Sequence, residues 1–266
     1  MRELSIDEVR KHAPSVFAET PHNEMSERYA MIPTIQVLEA LRKEGYVPTR
    51  VNQSIARSEE RRAHTKHMVR LRHLDDMNRP AVVDAVVPEV VLVNSHDGTS
   101  SYQLHAGLFR FVCTNGLVVP DVMYEKQCIR HSGNVIDNVI EGVYRVVRDT
   151  PEITSRVDVY RGISMTPAES MILANAALQL KYGDEAAPIQ PEHLLRPRRS
   201  ADTQNNLWVR FNSIQENLIQ GGLRGRNSLG RPTTTRAVKS VNEDIRLNKA
   251  LWLLTDEFAK LKATAH

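Results

Sequence analysis

At 266 residues, with 41% hydrophobic and 25% charged residues, the chain can bury a substantial core as one large domain or two small ones, which excludes a disordered protein. A formal net charge of +3 puts the electrostatic information in local clusters rather than in the total, and 5% aromatic residues are too few for recognition built on many stacked bases. Only Cys113 and Cys128 occur, the start lacks an apolar leader-like run, and no apolar stretch nears the ~20 residues of a membrane helix. These features predict a reduced, cytoplasmic protein with no membrane partner and no structural zinc.

In chain order, Ser5 and Glu8 form a capping box for a first helix that Pro14 ends. A second helix is expected over residues 34–44, with Ile35, Leu38 and Leu41 on one face and Gly45 as its stop, followed by an extended segment from Tyr46 to Val51. From Lys66 the period becomes that of strands. Met68-Val69-Arg70-Leu71-Arg72 alternates, which predicts arginines along one exposed face. Val86 to Val93 and the run from Ser101 read as a hairpin about Ser95-His96-Asp97-Gly98; Leu108 to Cys113 and Leu117 to Val119 supply further strands about an Asn115-Gly116 turn.

The remainder reads as helical. Asn134 caps a helix expected to run to about Arg148, Thr166-Pro167-Ala168-Glu169 caps one that stops at Gly183, and Leu207, Phe211, Ile214 and Leu218 mark one stopped by Gly221-Gly222. A last helix carries Val238, Val241, Ile245, Trp252 and Phe258. Pro188, Pro191 and Pro197 mark the expected linker. The predicted class is α+β: a meandering antiparallel sheet over about residues 66–120 with flanking helices, a mixed part at 1–150, and a helical part at 151–266 able to pack on it as one unit.

Two basic clusters suggest chemistry. The segment Gly221–Lys239 carries Arg224, Arg226, Arg231, Arg236 and Lys239 with no acidic residue, interleaved with glycines and hydroxyls. Glycine lets the backbone approach a polyanion, and arginine binds phosphate bidentately. The second cluster, Arg57, Arg61, Arg62, Lys66, Arg70 and Arg72, outnumbers Glu59 and Glu60. Joined in one trough, the clusters would offer several phosphate contacts. The alternatives are a solvated flexible linker for the first and a charge-protected edge strand for the second.

Other constellations predict less. His64, His67 and His73 would converge on a metal only across a turn, so no metal is expected. Asn94, His96 and Asp97 form a possible polar site, although Asp-Gly is also standard hairpin chemistry and sequence adjacency does not make a nucleophile–base pair. There is no GxxxxGK[ST], GxGxxG, HExxH or GxSxG, so neither a cofactor nor a catalytic residue is called for.

The words Ser26-Glu27-Arg28-Tyr29-Ala30, Thr65-Lys66-His67-Met68, Asn94-Ser95-His96-Asp97-Gly98, Ser100-Ser101-Tyr102, Phe109-Arg110-Phe111-Val112-Cys113, Asn115-Gly116, Gln215-Glu216-Asn217, Gly221-Gly222, Asp244-Ile245 and Leu247-Asn248-Lys249-Ala250-Leu251-Trp252 span nearly the whole chain. In them the chain resembles the domain-of-unknown-function 932 proteins of plasmids and prophages, in particular the YfjQ/YafZ-like bacterial members. The resemblance implies a setting beside anti-restriction and DNA-repair genes on mobile elements and carries no catalytic residue. The leading expectation is a DNA-binding protein of a mobile element, a single-strand binder or annealer working as a homo-oligomer without nucleotide hydrolysis. The alternatives are an anti-restriction inhibitor that contacts a host defence complex, and a metal-dependent hydrolase or nuclease using His96 and Asp97.

Overall fold

The computed structural model describes residues 2–22, 31–56, 58–79, 85–110, 116–120, 127–129 and 134–264. The chain divides into two compact units: residues 1–109, 116–150 and 239–241, and residues 110–115, 151–238 and 242–266. The fold is α+β.

The first unit opens with α1 (Ile6–His12), whose capping box forms as expected: the Glu8 amide donates to Ser5 Oγ at 3.2 Å and the Ser5 amide to Glu8 Oε2 at 2.9 Å. Pro14 then starts a single 3-10 turn through Phe17. In α2 (Thr34–Lys43) the buried stripe is Thr34, Val37, Leu38 and Leu41, turned from the expected face so that a threonine hydroxyl enters the interior. The strands β1 (Tyr46–Gln53), β2 (His67–His73), β3 (Val86–Asn94), β4 (Tyr102–Arg110) and β5 (Gly116–Val118) lie side by side in that order; β6 (Gln127–Ile129) pairs with β4. The antiparallel sheet is thus a meander, as predicted, but begins earlier and ends later than residues 66–120. β1 is an edge strand. It tolerates Pro48 and breaks register between Pro48 and Arg50, as proline in a sheet requires. Two short helices, α3 (Glu59–Arg62) and α4 (Leu74–Met77), flank β2.

β2 is interior to the sheet, and every residue from His67 to Arg72 is buried. The predicted exposed arginine face is therefore absent, because a strand covered on both faces buries both halves of its alternation. Cys113 and Asn115 lie outside the described residues.

Next comes α5 (Val135–Gly162), which was expected to end near Arg148 but continues through Pro151. Proline removes one helical hydrogen bond, yet beyond it Ile153, Val157 and Tyr160 are fully buried, so packing outweighs the local penalty. The second unit holds the rest of that helix, α6 (Pro167–Tyr182), α7 (Pro191–Leu194), α8 (Leu207–Gln220) and most of α9 (Val241–Thr264). Trp208, Phe211 and Trp252 form its aromatic centre, with ring centroids 5.7 to 6.5 Å apart, and Tyr160 lies 5.6 Å from Trp252. Contacts of this kind add about 0.5–1.5 kcal/mol per pair beyond area burial. The proline-marked segment at 188–197 lies inside this unit rather than linking two parts, with Pro191 opening α7. Among the described residues no helix is long and apolar enough to cross a membrane.

Candidate functional site

The Gly-rich basic segment is not a plain loop. It folds into a ribbon of two antiparallel strands, β7 (Arg224–Arg226) and β8 (Pro232–Thr234), paired Arg224 with Thr234 and Arg226 with Pro232. Asn227 shapes the tip, its side-chain oxygen accepting from the amides of Leu229 and Arg231 at 3.0 and 2.9 Å. Two glycines let the ribbon leave α8 and lie flat. Gly221 ends the helix at φ +64°, with the backbone of residues 235–236 where a side chain would stand. A Cβ on Gly225 would come 1.8 Å from the Pro188 carbonyl oxygen, to which the next residue's amide donates at 2.8 Å. One face of the ribbon is thereby pinned on Pro188. Alternation puts Arg224 and Arg226 on the other.

Arg224, Arg226, Arg231, Arg236 and Lys239 are all exposed. Arg226 donates to the Gly230 carbonyl at 2.7 Å, and among the described residues none of the five pairs with a carboxylate.

Polar residues of α8 brace the ribbon's base. Asn217 holds the neighbouring segment by donating to the carbonyls of Leu194 and Arg196, while its oxygen accepts from Arg198 Nε at 2.7 Å. Arg198 in turn donates to the Gly221 carbonyl at 2.6 Å. Glu216 takes Arg199 bidentately at 2.6 and 2.9 Å; Arg199 also reaches Asp202, whose other oxygen binds the buried Arg110 at 2.8 Å. Arg199 is thus neutralised inside the unit, whereas among the described residues Arg198 meets only neutral oxygens. Arg198 was not singled out in the sequence, since only its partners distinguish it from Arg199.

The other cluster divides. Arg61 and Arg62 are exposed and Lys66 is half-buried. Arg70 and Arg72 are only 2% and 4% exposed and share Glu89: Arg70 meets Oε2 at 3.1 Å and also donates to the carbonyls of Gly116 and Leu117, while Arg72 meets Oε1 at 2.6–2.7 Å. Arg72 also stacks 3.6 Å above the Phe109 ring. Both are internal ion-pair members and are not presented to a ligand, which corrects their assignment to the phosphate-contacting surface.

The possible polar site belongs to a buried histidine network. Ser15 Oγ donates to Gln53 Oε1 at 2.9 Å and lies 2.8 Å from His67 Nδ1; Thr34 Oγ1 lies 2.9 Å from His67 Nε2 and 3.2 Å from His96 Nε2; Asn94 donates to Thr34 at 3.0 Å. The Thr65 carbonyl, 3.3 Å from His67 Nδ1, can only accept, which favours the proton on Nδ1. With Ser15 donating to Gln53, His67 carries its proton on Nδ1 and accepts from Thr34 at Nε2, and His96 donates from Nε2 to Thr34. Burial pushes the His67 pKa down to about 4, only partly offset by the Thr65 carbonyl and by Asp97. Asp97 serves the turn. Burial works to raise its pKa, but hydrogen bonds from Thr99 and Ser95 outweigh it and hold the carboxyl below the usual range.

His67 and Asn94 are register partners across β2 and β3, so the strand pattern contained that pair. Nothing in the spacing pointed to Ser15 or Thr34. His64 Nε2 donates to the Thr20 carbonyl at 3.0 Å and His73 caps α4, so the three histidines serve different neighbours. Among the described residues no group of three His, Cys, Asp or Glu side chains is arranged to hold a metal.

A family model described as "Domain of unknown function (DUF932)" matches residues 21–252. Two relatives from Escherichia coli strain K12, UPF0380 protein YfjQ and UPF0380 protein YafZ, are each 42% identical over 255 residues, covering 96% of this chain and 91% of theirs. No solved structure matches. With the family model covering residues 21–252 and two relatives aligned over 96% of the chain, the chain belongs to the DUF932 family.

Proposed function

We propose that the protein binds nucleic acid through its phosphate backbone, using the β7–β8 ribbon, and acts in DNA processing on a mobile element as a single-strand binder or annealer. The observation that carries this reading is the exposed arginine face of a ribbon pinned from behind, with no carboxylate paired to Arg224, Arg226, Arg231, Arg236 or Lys239 among the described residues. Guanidinium groups spaced two residues apart on a strand match a line of phosphates, and their charge is unspent. Arg198 adds a further cation at the ribbon's base.

The ribbon segment carries no aromatic residue, which supports backbone contact over base stacking. Trp208, Trp252, Phe211, Tyr102 and Tyr160 are no more than 2% exposed and are committed to the cores. A protein that holds phosphates and leaves base edges free has the property an annealer needs. The test is binding of labelled single- and double-stranded oligonucleotides of differing sequence. Comparable affinity across sequences, with the single strand preferred, is the expected result; loss confined to one sequence in a ribbon variant would indicate base readout and overturn the reading.

A further inference from the structure

A second feature carrying unspent positive charge is concave and lies in the first unit. A pocket of about 220 Å³ is lined by His12, Pro14, Gln53, Ser54, Ile55, Ala56 and Arg62. His12 comes from the end of α1, Gln53 from the end of β1, and Arg62 from the end of α3. Three elements therefore bring an imidazole, an amide, a hydroxyl and a guanidinium to one cavity.

Among the described residues no carboxylate lines the pocket, and neither His12 nor Arg62 is paired with one. Its polar floor is fixed beforehand. Gln53 Oε1 accepts from both the amide and the hydroxyl of Ser15 at 3.0 and 2.9 Å, which settles which end of the amide is oxygen. Gln53 Nε2 donates to the Arg62 carbonyl at 2.6 Å, and the Thr65 hydroxyl lies between the Ser54 and Arg62 carbonyls at 3.2 and 3.3 Å. The backbone that carries the guanidinium is thus tied down on the pocket side. A site whose donors are positioned before the ligand arrives loses less ordering entropy on binding.

We propose that this pocket binds a phosphate monoester. The arginine fork supplies charge, the His12 imidazole, Ser54 and Gln53 supply polar partners, and Pro14, Ile55 and Ala56 offer an apolar wall to the carbon body of the ester. The volume lies below the roughly 300–1,000 Å³ of drug-sized sites, which suits one phosphate and a sugar rather than a whole dinucleotide. The same chemistry is presented by a free nucleotide and by the terminal phosphate of a strand. The inference is independent of the ribbon reading, since it uses none of the ribbon's residues.

The experiment titrates the full chain by calorimetry with inorganic phosphate, adenosine 5′-monophosphate, and a short oligonucleotide bearing either a 5′-phosphate or a 5′-hydroxyl. Saturable binding of phosphate and mononucleotide is expected, weakened about tenfold by Arg62→Ala and by His12→Ala and partly kept by Arg62→Lys. Both residues are exposed, so neither variant disturbs a core. If the 5′-phosphate tightens oligonucleotide binding and Arg62→Ala erases that gain, a strand terminus is the source; equal binding of the two oligonucleotides with the mononucleotide retained assigns the pocket to a free ester. The triple variant Arg224→Ala, Arg226→Ala, Arg231→Ala should keep mononucleotide affinity, which separates failure of this site from failure of the ribbon. No saturable phosphate binding, or binding unchanged in both Arg62→Ala and His12→Ala, overturns the proposal.

Discussion

The arginines of β2 and those of β7 sit on strands with the same two-residue spacing and meet opposite fates. Arg70 and Arg72 lie within a sheet covered on both faces, and a single glutamate, Glu89, gathers both. Arg224 and Arg226 lie on an isolated ribbon with one face pinned and the other open. What separates a buried, neutralised arginine from an exposed, uncommitted one is therefore a carboxylate within reach and a second covering layer, neither of which the residue or its spacing reveals. The buried pair ties β2 to Glu89 of β3 and, through Arg70, to the carbonyls of β5. The exposed pair leaves the fold indifferent and its own charge available.

Replacing Glu89 attacks the buried half of this contrast. Glu89→Gln leaves two guanidinium groups in the interior without a counter-charge and should cost about 3–5 kcal/mol, read as a lower midpoint in urea denaturation. A loss below about 1 kcal/mol would mean that Arg70 and Arg72 reach water after all.

The pH response of the same unit sharpens it further. His67 has a folded pKa of about 4 against an ordinary 6.5, so the unfolded chain takes up the proton first. Stability is complete above about pH 6.5, falls as pH drops from there to about 4, and is then about 3 kcal/mol lower. Denaturation midpoints at several pH values between 4 and 7.5 measure the slope, and His67→Gln should flatten it.

The ribbon predicts smaller changes in stability. Gly225→Ala forces β7 away from Pro188 and should cost about 1–3 kcal/mol in the second unit while weakening oligonucleotide binding, because the arginine face loses its backing. Arg224→Ala, Arg226→Ala and Arg231→Ala together should shift stability by no more than about 0.5 kcal/mol, since all three side chains are exposed and the Arg226 bond to the Gly230 carbonyl lies at the exposed ribbon tip. An unfolding midpoint that moves as far as that of Glu89→Gln would erase the distinction between the two regions.

Much of the fold was legible because local rules and packing agree over most of the chain. The capping boxes at Ser5 and Thr166, the stop at Gly183, the hairpin about Asp97-Gly98 and the stop of α8 at Gly221 all formed where their chemistry placed them. Where they conflict, packing prevailed. Pro151 stayed helical because Ile153, Val157 and Tyr160 needed burial, and the arginines of β2 turned inward because Glu89, from the adjacent strand, was there to receive them. The ribbon was read as a loop, although Asn227 and Gly230 between two short segments of equal length are turn chemistry. The histidine network and the His12–Arg62 pocket depend on residues dozens of positions apart. Such contacts are set by topology, and local spacing does not encode them.

The central claim is tested most directly by oligonucleotide affinity measured against salt concentration, for the native chain and the Arg224/Arg226/Arg231 triple alanine variant. The account predicts a linear fall of log affinity with log salt, and a slope shallower in the variant by about 0.7 per lost single-strand phosphate contact, alike for every sequence tried. A flat salt response in the native chain, or an identical slope in the variant, would contradict it.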